Sequence, residues 1–398
     1  MIEVYAENIE EAIAVWQDIR GEGSAWGEYR RFQSESLKWF VESSLRDAIS
    51  KKIGVGCYKR SDGRTGYRNG YYERLLVTPY GTVNIRVPRL REGSYTNDLF
   101  ERQKLFTKEV GELVMETYLS GPSTRRVGKV LKKVLGYEVS AGTVSEICKG
   151  LDKLVREYWR RELEDKWRYL LLDAIVLRSK SATGVEKRFV LTAMGIDEEG
   201  NREILSYKQV ESESEVAWES FISDMGRRGF EGKNLELITT DGNKGVIAAI
   251  ESVWPMIPRQ RCWVHKLRNI SNKLKKKNEK ECLAGAKLIY LAKNRTEAVG
   301  RYREWAGRWK VEEPKAVTCM AEDIEELLNV FEMPEEHRIK VRTTNPIERV
   351  FREVRRRTRT ISCFTNRRSV DRMVYAILSR QNQIWKEERP LWKITHST

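Results

Sequence analysis

Apolar residues recur at helical spacing near the amino terminus, first as Ile9, Ile13, Trp16 and Ile19, then as Leu37, Trp39, Phe40, Val41 and Leu45. This pattern predicts helices through about residue 60. A glycine-rich stretch follows, and its second half alternates apolar with polar residues. RLLVT and VNIRVP, joined across Pro79-Tyr80-Gly81, predict a β-hairpin. From Ser123, which can cap a helix, Val127, Val130, Leu131, Val134 and Leu135 form one helical stripe that Gly136 ends. Ser140 then caps a second helix bearing Val144, Ile147, Cys148 and Leu151. Two short helices with a tight junction, the first of them basic, fit a helix-turn-helix. They fit an ordinary helical hairpin equally well, and spacing alone leaves both open.

Beyond Trp167 the pattern changes. RYLLLDAIVLRS, KRFVLTAMGID and REILSYKQVES predict three consecutive strands, and a helix follows from about Ser214 to Arg228. LELITTDG predicts a fourth strand ending on Asp241, NKGVIAAIESVW a helix, and RQRCWVH a short fifth strand. Three early strands, then strands separated by helices, indicate a mixed α/β sheet rather than a doubly wound parallel one. Residues 266–335 read as helical and polar, with breaks at Pro314 and Pro334.

Composition narrows the function. The 398 residues allow two or three domains, and 73 Lys+Arg against 58 Asp+Glu give a formal charge of +15. Such an excess points to a polyanion, nucleic acid foremost. No apolar run reaches the length of a spanning helix, and the acidic, amphipathic amino terminus is unlike a signal peptide. A cytoplasmic protein with no membrane role is expected. Six scattered cysteines and three histidines offer neither a disulfide framework nor a compact four-ligand zinc site.

Three carboxylates stand out. Asp173 interrupts an apolar strand, where a charge is costly unless paired with an arginine or coordinated. Asp241 lies where a strand gives way to a helix, the place where open α/β sheets gather ligands, although helix capping also accounts for it. Glu348 heads the basic run IERVFREVRRRTR. Asn345 suits the N-cap, Pro346 the first helical position, and Asn-x-x-Glu resembles a capping box. At 100° per residue, Ile347, Val350, Phe351, Val354 and Ile361 form an apolar arc, with Glu348 turned away beside Arg352, Arg355 and Arg359 and Arg357 nearly opposite. Three carboxylates on two strands and a helix can hold two magnesium ions for phosphodiester displacement, with arginines holding the phosphates.

Several long motifs occur in fixed order: GYRNGYYERLLVTPYGTVNIRVPRLREG, STRRVGKVL with EVSAGTVSEI, LLLDAIVLRS, TTDGNKGVIAAI, CWVHKLRN and TTNPIERVFREVRRRTR. Over Gly66 to about Leu378 the chain closely resembles the Mutator-type DDE transposases of prokaryotic insertion sequences. The resemblance implies an α/β catalytic core, a ribonuclease-H-like mixed sheet with an all-helical insertion. It also implies a helical N-terminal DNA-binding region with a small β-hairpin. The expected division is residues 1–65 as a helical region, 66–106 as hairpin and linker, and 107–165 as the helix-turn-helix domain. Residues 166–268 are then the first part of the catalytic domain, 269–336 the insertion, and 337–398 the second part.

The family's triad falls on Asp173, Asp241 and Glu348 as catalytic and metal-binding residues, with two Mg²⁺ per site and Mn²⁺ as a substitute. Its Cys-x-x-His element falls on Cys262 and His265, beside the active site with Asn345. Candidate DNA contacts are Arg125, Arg126, Ser140, Thr143, Ser145, Arg268, Arg352, Arg355 and Arg359. The implied partners are double-stranded DNA, as terminal inverted repeats and target, and a second copy of the chain in a dimer that joins two ends. The implied route is copy-out, paste-in through a circular intermediate, in a nucleoid-associated protein. A domesticated DNA-binding regulator and a nuclease acting on junctions or hybrids are the alternatives. An intact triad counts against the first, and the hairpin and helix-turn-helix are surplus to the second.

Overall fold

A computed structural model describes residues 25–59, 62–79, 81–93, 95, 106–120, 122–135, 139–359, 361 and 363–392. The helix expected over Ile9 to Ile19 lies outside the described residues, as do Tyr80, Gly136 and the side chain of Val134. The chain divides into two compact units, Met1–Cys148 and Lys149–Thr398. Among the described residues no helix is long and apolar enough to cross a membrane.

In the first unit, helix α1 (Ala25–Ile53) lies against an antiparallel hairpin of β1 (Arg68–Thr78) and β2 (Gly81–Leu90). Val41 and Leu45 repeat every four residues and bury against Leu76, Val83, Ile85 and Val87. Trp39 and Phe40, read as part of that apolar stripe, are instead 65% and 55% exposed, because adjacent helical positions cannot share one narrow face. Gly81 closes the hairpin at φ +124°, a conformation that glycine adopts without strain. Three helices follow: α2 (Lys108–Leu119), α3 (Thr124–Leu135) and α4 (Ala141–Lys149). Val127, Leu131 and Leu135 of α3 are buried, whereas Val130 is largely exposed, so the stripe is narrower than the sequence suggested. The Ser140 hydroxyl caps α4 by accepting the Thr143 N–H at 3.0 Å.

The second unit is a mixed five-stranded sheet with helices on both faces. After α5 (Leu151–Arg160) come β3 (Tyr169–Ser181), β4 (Gly184–Ile196), β5 (Arg202–Val210), α6 (Glu215–Arg227), β6 (Leu237–Thr240), α7 (Lys244–Val253) and β7 (Arg259–Arg261). The strand order is β5-β4-β3-β6-β7. The β5-β4 and β4-β3 pairs are antiparallel, and the β3-β6 and β6-β7 pairs are parallel. Leu170, Leu172, Leu191 and Ala193 face α6 and α7, packing on Trp218, Phe221, Ile222 and Ile250. Strand alternation therefore sends Tyr169, Leu171 and Asp173 to the other face.

Every described element between β7 and Asn345 is helical: α8 (Trp263–Ser271), α9 (Lys276–Tyr290), α10 (Arg295–Trp309), α11 (Pro314–Glu322), α12 (Ile324–Leu328), a 3₁₀ turn (Asn329–Glu332) and α13 (Glu335–Val341). The fifth strand is shorter than expected. It stops at Arg261, so Cys262 is the N-cap of α8 rather than part of a strand. Helices α14 (Asn345–Thr358) and α15 (Arg367–Glu387) return to the sheet. Ile347, Val350, Phe351 and Val354 of α14 are buried, each worth about 1.5–3 kcal/mol. The helix ends before Ile361, and Thr358 occupies the last buried position of the arc instead. The cap also moves by one residue. Thr344 is the N-cap and accepts the Glu348 N–H through its carbonyl, so the expected Asn345 capping box does not form.

Helix α15 carries a buried carboxyl, Asp371, which accepts a hydrogen bond from Gln209 of β5. Burial pushes its pKa from 3.8 up to about 6, against the pull of the Gln209 bond and Arg367. Between those values the folded chain keeps a proton that the unfolded chain has lost. Its contribution therefore favours folding at low pH and is lost as pH rises through about 6. Asp371→Asn should raise stability at pH 8 by an amount on the order of 1–3 kcal/mol, with little gain at pH 4. Urea titrations of both proteins at the two pH values check this, and an equal shift at both would refute it.

Candidate active site

The sheet register brings the first two carboxylates together. The parallel β3-β6 ladder ends at Leu172 opposite Thr240, so Asp173 and Asp241 are the next residues on neighbouring strands. The β6-β7 ladder ends at Thr240 opposite Arg261, which puts Cys262 next in line. The backbone turns sharply after Asp241. Gly242 adopts φ +79°, and its N–H donates to the Thr240 hydroxyl at 3.1 Å. Asn243 donates its N–H to Asp241 Oδ1 at 3.0 Å and caps α7 through Gly245 N–H. The capping role considered for Asp241 thus belongs to Asn243, leaving the other Asp241 oxygen to the site.

Asp173 is 7% exposed. Burial foremost, then the Asp241 charge, raise its pKa to about 7, and Glu348 adds to the effect. The Ala174 N–H, at 2.8 Å from Oδ1, and the Thr344 hydroxyl act in the opposite direction. Among the described residues neither aspartate has an ion-pair partner, so the arginine once considered for Asp173 does not neutralise it.

Glu348 arrives on the first turn of α14, at the positive end of the helix. His265 Nε2 lies 3.2 Å from its Oε1. Burial pushes the His265 pKa down, while Glu348 and then Asp241 pull it up, which places the ring beside both carboxylates. A neutral ring donating from Nε2 presents Nδ1 as an acceptor, and the Thr344 hydroxyl lies 3.5 Å from it. Cys262 is fully buried, and burial pushes its thiol pKa up. Its sulfur accepts the Thr344 N–H at 3.3 Å. Thr344 therefore ties the start of α14 to Cys262 through its N–H, and its one hydroxyl proton lies within reach of either His265 or Asp173.

Among the described residues no three His, Cys, Asp or Glu side chains converge closely enough to share one ion. The Asp241 and Glu348 charges both act on Asp173. Carboxylate oxygens are donors of the kind that hard divalent cations take. A fourth carboxylate, Glu213, escaped the sequence reading. It accepts Asn243 Nδ2 at 3.0 Å, and burial and then the Asp241 charge raise its pKa. The polar stretch ESESEV gives no sign that the loop folds back onto the Asp241 turn.

Arg352, Arg355 and Arg359 are exposed along the Glu348 side of α14 and just beyond its end, and Arg268 is exposed on α8. Arg357 is no free cation on the far side. Its side chain is 11% exposed and pairs with Glu353 at 2.8 Å. Asn345 is exposed and lines a cavity beside α14. In the first unit, Arg125, Arg126, Ser140 and Ser145 are exposed and Thr143 is half-buried, with the Ser140 and Thr143 hydroxyls 2.9 Å apart.

A family model described as "Transposase, Mutator family" matches residues 25–388. The chain is 34% identical to the transposase for insertion sequence element ISRM5 of Rhizobium meliloti, over 89% of this chain and 88% of that one. It is 31% identical to the transposase for IS256 in transposon Tn4001 of Staphylococcus aureus, over 89% and 95% of the two chains. With the transposase for IS406 of Burkholderia multivorans it shares 33% identity over 88% and 90%.

Proposed function

The chain belongs to the Mutator family of transposases, and from that premise we propose that it is a metal-dependent DNA transposase of the DDE type. It binds the terminal inverted repeats of an insertion sequence, cleaves at the element ends and transfers the freed strand to target DNA. The observation carrying this reading is that the Asp241 and Glu348 charges both act on the buried Asp173, and that among the described residues no ion-pair partner neutralises the aspartates. The strand order, antiparallel on one side of β3 and parallel on the other, supports a ribonuclease-H-like core.

Asp173, Asp241 and Glu348 would hold two magnesium ions, with manganese able to substitute. Such ions, when bound, stabilise the attacking and leaving oxygens of a phosphodiester displacement. The residues of the chain do the rest. His265 and Thr344 fix the Glu348 carboxylate and the start of α14, while the Asp241 turn fixes the second carboxylate. Arg352, Arg355 and Arg359 hold DNA phosphates in line. Water attacks the phosphodiester at the element end, the bond from phosphorus to the 3′-oxygen breaks, and the 3′-hydroxyl is released. That hydroxyl then attacks a target phosphodiester, forming a new bond to phosphorus as the target's own bond from phosphorus to the 3′-oxygen breaks and frees a target 3′-hydroxyl, with no covalent protein intermediate. Helices α3 and α4, read as a helix-turn-helix with Arg125, Arg126, Ser140, Thr143 and Ser145, recognise the repeats. Two ends joined in one event call for a dimer, and the family resemblance favours copy-out, paste-in through a circular intermediate in a nucleoid-associated protein.

The test is incubation of the protein with duplexes carrying its element's ends, with Mg²⁺ or with a chelator. Strand breaks at the repeat boundary and joined products in Mg²⁺ alone are expected. Specific binding without cleavage in either Mg²⁺ or Mn²⁺ would favour a DNA-binding regulator and overturn this reading.

The His265 contact yields a separate expectation. Groups that orient a metal-holding side chain are commonly worth 10–100-fold in metal affinity or activity. His265→Ala should slow single-turnover cleavage by about that factor and raise the Mg²⁺ concentration needed for half-maximal rate. His265→Gln, which keeps an N–H donor, should recover part of both. An unchanged Mg²⁺ requirement in His265→Ala would show that the histidine does not position Glu348.

A further inference from the structure

Beside the first turns of α14, the second unit has a cavity of about 570 Å³, a size that suits a nucleotide. Its wall holds four cations, Arg202, Lys340, Arg342 and Arg349, against one carboxylate, Glu388. Glu388 is already paired with Arg202. Among the described residues Lys340 and Arg349 have no acidic partner. Burial lowers the pKa of Arg202 against the pull of its partner Glu388, and the nearby Arg349 charge adds to the lowering. An anionic ligand on Lys340 and Arg349 would offset this local excess of positive charge.

The cavity also carries flat surfaces. Arg342 stacks 4.3 Å over the Tyr290 ring, and Arg202 lies 5.0 Å over Trp385. Guanidinium and aromatic planes are the surfaces on which unpaired nucleobases stack. Thr343 and Asn345 line the wall, and Thr344 between them touches the triad and its supports. The cavity thus adjoins the carboxylates through a single turn of chain.

We infer that this cavity takes one nucleoside phosphate of an unpaired DNA strand next to the cleavage point, its phosphate on Arg349 and Lys340 and its base on the Tyr290 or Trp385 stack. The inference rests on the transposase reading, because duplex bases are not free to enter such a cavity.

The test uses the full-length protein and a single-stranded thymidine hexamer with one 5-iodouracil, which photocross-links to stacked aromatic side chains. The adduct should map to Tyr290 or Trp385. Arg349→Ala and Lys340→Ala should each lower its yield about five-fold or more. Lys315→Ala, an exposed charge on α11, should leave it unchanged. Competition by thymidine monophosphate should exceed that by inorganic phosphate and fall short of that by the unlabelled hexamer. Adducts confined to other residues, or equal losses in Lys315→Ala, would overturn the proposal. Phosphate competing as well as the monophosphate would reduce the cavity to a plain anion site and also overturn it. A monophosphate matching the hexamer would overturn the DNA assignment in favour of a free nucleotide. If the cavity fails while element-end cleavage still depends on Asp241, this inference alone falls.

Discussion

Asp173→Asn, Asp241→Asn and Glu348→Gln should each lower cleavage and joining of element ends by about a thousandfold or more, the equivalent of about 4 kcal/mol in barrier. Each change removes one carboxylate oxygen donor from the proposed metal site. Binding of end DNA should stay within a few-fold of wild type, because affinity comes mainly from phosphate contacts made by cations. Losing a negative charge near the DNA favours binding if it changes it at all. Gel-shift titrations and single-turnover cleavage, run side by side, separate the two effects. Wild-type strand transfer by any one variant would remove that residue from the site.

The second large effect is expected at Gly242, through geometry rather than charge. Its φ of +79° lies in the left-handed region, which costs an L-residue about 1–2 kcal/mol. A Cβ there would also fall 1.0 Å from Arg261 Nη1. The Arg261 head group, whose Nε lies 3.5 Å from Asp323, would have to move. Since the turn presents Asp241, a displacement of about 1 Å is enough to cost about a hundredfold in rate. Gly242→Ala should therefore cleave about a hundredfold more slowly, with a modest loss of thermal stability. Gly93→Ala is the matched comparison, having φ +77° with nothing among the described residues within 4 Å of its Cβ. If the two variants lose the same activity, backbone strain in general, not the Asp241 turn, is responsible.

Much of the site is legible in the sequence because it rests on local pattern. The apolar arc of Ile347, Val350, Phe351 and Val354 fixes which way α14 faces, and so where Glu348 does not point. Asp173 stands out as a charge in an apolar strand, and Asp241 as the residue after a short buried one. The shifts in detail come from contacts that periodicity cannot see. Thr344 displaces Asn345 as the cap because its amide and side chain are engaged by Cys262 and His265, more than 75 residues earlier in the chain. Trp263 starts a helix rather than continuing a strand because its ring buries among the insertion helices, its indole N–H donating to the Leu327 carbonyl. Glu213 and the cavity of Arg202, Tyr290, Arg349 and Trp385 are assembled from distant segments, none of which carries a local signature. The Mutator resemblance supplies the roles of the triad, and the register of β3 and β6 supplies a physical reason for two of its members to meet.

If Asp173, Asp241 and Glu348 hold cations against the phosphate being cut, the oxygens of that phosphate touch metal. The most direct measurement replaces one non-bridging oxygen of that phosphate with sulfur and compares cleavage in Mg²⁺ and Mn²⁺. Sulfur is a poor ligand for the hard magnesium ion and a better one for manganese. One thiophosphate isomer should be cleaved far more slowly than the oxygen substrate in Mg²⁺ and regain most of its rate in Mn²⁺. Equal cleavage of the oxygen substrate and both isomers in Mg²⁺ would contradict it, as would a loss that Mn²⁺ does not restore.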